Sequence, residues 1–137
     1  MKANGRRLVA TTLLLSGFVA TPAFAADYSV DVGVETKAGK DAGSLGCVYE
    51  ETCGLNMPSL GLRVTLLSLR TDPSRVTIYV SRHDLSCCYF ESAADSLHVD
   101  RRKSTFRVPI FTGARAKGGL FIQNERVGTL YLRFDTR

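Results

Sequence analysis

The side chains with the most chemical potential sit in one short stretch. His83, Asp84, Cys87, Cys88 and His98 fall within 16 positions, and thiolate plus imidazole is a ligand set that zinc or copper accepts. The spacing lacks the C-x-x-C knuckle of structural zinc sites, and four cysteines in an exported chain are expected to pair with one another. His98 and Asp100, two apart on a strand, would share one face, which is how a base and its orienting acid begin a Ser-His-Asp arrangement. A flanking Leu97 and Val99 explain His98 equally well as a solvent-facing strand residue. Glu50 and Glu51 are chain neighbours, a poor start for two carboxylates that must flank a sugar bond. The chain has no phosphate-binding loop, dinucleotide fingerprint, zincin helix motif or nucleophile elbow; the glycines and Lys117 of segment 113–119 have the wrong spacing for a phosphate loop. No cofactor is expected.

The other candidate set is basic. Arg101, Arg102 and Lys103 are consecutive, and Arg107, Arg115, Lys117, Arg126 and Arg133 follow. Arg107 and Arg133 alternate with apolar neighbours, so both should point away from the core of their strands. If those strands are adjacent, Arg107, Arg126, Tyr131 and Arg133 form a partner-binding stripe, with Phe111 on the same outer face. Arg with Tyr is the mix enriched at interfaces. The alternative is an ordinary charged outer face.

Where these residues act follows from the N-terminus. Lys2, Arg6 and Arg7 precede a run of about 13 apolar residues from Leu8 to Ala20, and Pro22 and Ala23-Phe24-Ala25 follow. That is the three-part pattern of a secretory signal peptide, with cleavage expected after Ala25, and the run is short of the roughly 20 residues a membrane-spanning helix needs. The expected division is a signal peptide over 1–25 and one exported domain over 26–137, in the periplasm or the medium. All 13 acidic residues but only 15 of the 18 basic ones lie beyond residue 25, so the net charge falls from +5 to +2. This is no nucleic-acid footprint. The expected partner is a protein or an anionic surface, with no membrane span.

The elements that must hold these groups are strands. Residues 28–34, 60–66 and 76–81 alternate apolar and polar residues, and 96–99, 105–111 and 128–134 continue the style. Thr71-Asp72-Pro73-Ser74 reads as a hairpin turn. Residues 35–46 read as a flexible connection, and 120–123 with 128–134 as a hairpin turning at Asn124-Glu125-Arg126. Pro109 places its strand on an edge or at a bulge. No segment after residue 25 has a helical period of helical length. The expected fold is all-β: a small disulfide-stapled β-sandwich of immunoglobulin-like size, or a small closed barrel.

Cys47, Cys53, Cys87 and Cys88 supply the staples. Adjacent Cα atoms stand about 3.8 Å apart across a trans peptide, short of the usual disulfide range of about 4.4–6.8 Å, so a bond between neighbours would be strained. The favoured pairing is therefore two long-range bridges from 47 and 53 to 87 and 88. Taken together, the residues point to a non-catalytic exported binding domain, with a metal-handling protein on the His/Cys set or a small hydrolase on His98 as the alternatives.

Overall fold

The computed structural model describes residues 25–83, 87–115 and 121–135. Nine strands follow in order: β1 Tyr28–Thr36, β2 Gly39–Cys47, β3 Cys53–Met57, β4 Leu62–Leu69, β5 Asp72–Arg82, β6 Cys87–Tyr89, β7 Leu97–Asp100, β8 Thr105–Arg115 and β9 Phe121–Phe134. Among the described residues the helical elements are single 3₁₀ turns at Glu91–Ala93 and Arg101–Lys103. The strands form two antiparallel sheets, one ordered β2-β1-β9-β8-β6 and the other β3-β4-β5-β7.

Alternation decides which face each strand buries. In β1, Tyr28, Val30, Val32 and Val34 are buried while Ser29, Asp31, Gly33 and Glu35 are not. Their registered partners Leu130, Leu132 and Phe134 in β9 are buried too. Across the core stand Leu62, Val64 and Leu66 of β4 and Val76, Ile78 and Val80 of β5. Two sheets with their apolar faces on one shared core make the all-β, sandwich-like arrangement that the alternation implies. The turn into β4 uses Gly61 at φ +63°, a left-handed conformation that suits a residue without Cβ.

Several expectations about the chain need correction. Residues 39–47 are a strand and not a connection: β2 pairs with β1 from Tyr28↔Cys47 to Thr36↔Gly39. Its Gly39, Gly43 and Gly46 read as loop, but an edge strand needs a partner on one side only, and Lys40 and Asp41 protect such an edge. The expected turn at Asn124-Glu125-Arg126 is absent, because β9 runs unbroken through those residues against β8. The irregularity that segment signalled takes the form of register shifts opposite it, at Ile110/Phe111 and Phe111/Gly113. Pro109 pairs with Thr129 just before that bulge, on a stretch of β8 that β6 does not flank, so its missing N–H interrupts no second ladder.

The disulfide pairing is also the reverse of the expectation. Cys47 bonds Cys53 with Cα atoms 5.6 Å apart, and Cys87 bonds Cys88 across a cis peptide with Cα atoms 2.9 Å apart. The topology explains why long-range bridges do not form. β2 and β6 are opposite edges of the five-stranded sheet, four strand spacings or about 19 Å apart, well beyond disulfide reach. Cys47 and Cys53 instead join the edge strand of one sheet to the edge strand of the other.

Candidate functional site

The central strands of the five-stranded sheet turn their polar residues outward in registered rows. One row reads Ser44, Asp31, Arg133, Thr105, and the next Ala42, Gly33, Tyr131, Arg107. The third reads Lys40, Glu35, Thr129, Pro109. β8 and β9 are neighbours, so Arg107 and Tyr131 stand directly opposite each other, and the Arg107 guanidinium lies 5.7 Å from the Tyr131 ring centroid. This cation–π contact holds the guanidinium over the sheet while leaving its hydrogen-bonding edge available.

The carboxylates of these rows are engaged. Asp31 accepts from Ser44 Oγ at 2.6 Å and from Arg133 at 2.6 and 2.9 Å. Ser44 first and Arg133 second hold its carboxyl below the usual range. Glu35 faces Lys40 at 3.3 Å and accepts from the Tyr131 hydroxyl at 3.4 Å. Arg126 donates to Thr129 Oγ1 at 2.8 Å and to the Gly128 carbonyl at 3.4 Å, both neutral. Among the described residues Arg107 and Arg126 therefore have no carboxylate within ion-pair distance. They share a depression of about 600 Å³ with Lys37, Glu35 and Glu125. Its surface can grip an anionic group through two planar guanidiniums.

Of the four residues expected to form a stripe, Arg107, Arg126 and Tyr131 converge on that depression. Arg133 lies one row away with its charge met by Asp31. The rest of the basic set disperses. Arg101 turns inward, donating to the Pro73 carbonyl at 2.6 Å and to the Tyr49 hydroxyl at 2.7 Å, with its guanidinium 5.6 and 5.9 Å from the Tyr28 and Tyr49 rings. Arg102 pairs with Asp100 at 2.6 Å, and it is the main cause of an Asp100 carboxyl held down to about 2. The side chain of Arg115 and all of Lys117 lie outside the description.

The thiols of the His/Cys set are consumed by disulfides, and Asp84 lies outside the described residues. Among the described residues no three His, Cys, Asp or Glu side chains gather closely enough to hold a metal ion. His98 contacts Thr77 Oγ1 at 3.0 Å through Nδ1, while the Asp100 carboxylate faces Arg102. This Thr–His contact lies on the outward face of the four-stranded sheet, where His98 and Thr77 are registered partners on β7 and β5. The sequence reading missed Asp31, Gly33, Glu35, Ala42 and Ser44. The polar phase of β1 could have flagged the first three; β2 carried no strand signal.

No helix of the described residues is long and apolar enough to cross a membrane. Compared with known proteins, the chain matches no family model, no curated protein and no solved structure.

Proposed function

We propose that this chain is an exported, non-catalytic binding domain that holds an anionic partner on the outer face of its five-stranded sheet. The observation that carries the reading is the Arg107–Tyr131 cross-strand pair beside Arg126: two guanidiniums without carboxylate partners among the described residues, one of them held over an aromatic ring. Interfaces favour this combination, because the ring adds contact area while the guanidinium supplies directional donors. Two disulfides in so small a domain suit an oxidising compartment, which is where the N-terminal segment would direct the chain.

The test compares Arg107→Gln/Arg126→Gln with Arg133→Gln for binding to acidic probes, a polyglutamate and a uronate polymer, over a series of salt concentrations. The first variant should lose most of the affinity. Arg133→Gln should lose little, because Asp31 already meets that charge. Wild-type binding should weaken as salt rises, since exposed charges are screened beyond about 8 Å at physiological salt. Equal binding by all three proteins, insensitive to salt, would reduce these arginines to a solvated face.

A further inference from the structure

Beside the Arg107–Tyr131 ridge lies a second depression, of about 720 Å³, whose floor is Gly33 and Ala42. These two are registered partners on adjacent strands, so the pair carries no side chain larger than a methyl at that spot. The fold does not demand this. Gly33 is not in a left-handed conformation, and a Cβ built on it would meet only ordinary contacts of 3.8–3.9 Å with Ala42, Asp41 and Tyr131. A glycine in a strand interior weakens the strand, and one that packing does not require marks a place where something else approaches the backbone.

The rim narrows what that something is. On one side stand the Ser44 hydroxyl, the Asp31 carboxylate, the Arg133 guanidinium and the Thr105 hydroxyl; on the other stands Arg107. A simple anion such as phosphate would meet the Asp31 carboxylate as well as the arginines. The floor of this face offers an extended peptide no strand to pair with, because β1 and β9 are paired on both sides and the edge strand β2 has β3 close by, and it has no deep pockets for alternate side chains. A sugar ring suits both features: its apolar C–H face can lie on the Gly33–Ala42 floor, and its hydroxyls can donate to Asp31 and to Ser44 Oγ, whose own hydrogen Asp31 takes, while accepting from Thr105. A carboxylate on the same ring or the next would reach Arg107, whose guanidinium matches its fork geometry.

We infer that the partner held on this face is an acidic saccharide, a uronate-type chain whose ring sits over Gly33 and Ala42 with its carboxylate on Arg107. The inference rests on the anion-binding reading of the same face and adds the chemical class.

Calorimetric titration of the full-length exported domain with galacturonan, alginate and hyaluronan oligomers tests it, beside methyl-esterified galacturonan and polyglutamate. At least one uronate should bind, and polyglutamate should bind more weakly than that uronate. If galacturonan is among the binders, its neutral ester should bind at least about tenfold more weakly, the scale of one lost charged contact. Gly33→Val fills the floor without altering charge and should cost the binding uronate a similar factor while leaving polyglutamate unaffected. Ala42→Val, on the edge strand, repeats the test should Gly33→Val not fold. Polyglutamate binding as tightly as every uronate, with both indifferent to the two valines, would overturn the saccharide inference and leave the anion-binding reading standing. No binding of any acidic probe would overturn both.

Discussion

Removing the Arg101 side chain should damage the fold without touching the proposed binding face. It follows β7 of the four-stranded sheet, yet it reaches Tyr28 at the start of β1 in the other sheet, Tyr49 in the connection after β2, and the Pro73 carbonyl in β5. Two hydrogen bonds from a charged donor contribute about 1.5 kcal/mol each at the low end of their range, and two ring contacts about 0.5 kcal/mol each. Ordering an arginine offsets about 2 kcal/mol of that sum. Arg101→Met, which keeps the aliphatic stem, should therefore destabilise by about 2 kcal/mol, or lower Tm by about 8 °C in a domain of this size. Urea unfolding followed by circular dichroism measures it, with Arg102→Met as a control that should leave the midpoint almost unchanged. A loss below about 0.5 kcal/mol for Arg101→Met, the scale of an ordinary surface change, would refute the idea that this arginine ties the sheets together.

Other consequences follow from the same packing. Replacing Cys47 and Cys53 by Ser should cost about 2 kcal/mol, because the bridge closes a short loop with a sequence separation of 6; a loss near 4 kcal/mol would fit the long-range pairing instead. The Tyr28 hydroxyl is buried without a hydrogen-bond partner among the described residues, so Tyr28→Phe should leave stability unchanged or raise it by about 1 kcal/mol. Burial, opposed by Arg101 and reinforced by Tyr49, pushes the Tyr28 phenol up to about 12 from 10.0. Between those values the unfolded chain releases a proton that the native state keeps, so Tyr28's contribution to stability is full below pH 10 and falls as pH rises towards 12. An alkaline denaturation series should show that fall in wild type and a shallower one in Tyr28→Phe. A Cβ on Gly128 would run into the Glu35 carbonyl, so Gly128→Ala should cost about 3 kcal/mol in urea unfolding, whereas Gly33→Ala should raise stability by about 0.5–1 kcal/mol.

The strands were legible wherever one face is buried and the other is wet. β1, β4, β5 and the last half of β9 follow the alternation that burial imposes, and their inward residues form the core. β2 was invisible because an edge strand in contact with few apolar side chains has little to alternate; only pairing with β1 identifies it. The disulfides were misread for a related reason. Whether Cys47 can reach Cys87 depends on which strands flank β1 and β8, and sheet order leaves no local trace in the sequence. At the site, period-2 reasoning put Arg107, Tyr131 and Arg133 on one face. It could not tell that Asp31 would meet Arg133, or that Arg101 would turn inward, because both outcomes depend on cross-strand and inter-sheet neighbours.

The most direct test of the account is where an acidic ligand touches the domain. Backbone amide shifts followed by NMR during titration with the tightest-binding acidic probe should move at Asp31, Gly33, Ala42, Arg107, Arg126 and Tyr131. They should stay still at Thr65, Thr77 and Tyr79 on the outer face of the opposite sheet. Shifts centred on that opposite sheet, or spread evenly over exposed lysines and arginines, would contradict the claim that the five-stranded sheet carries the binding site.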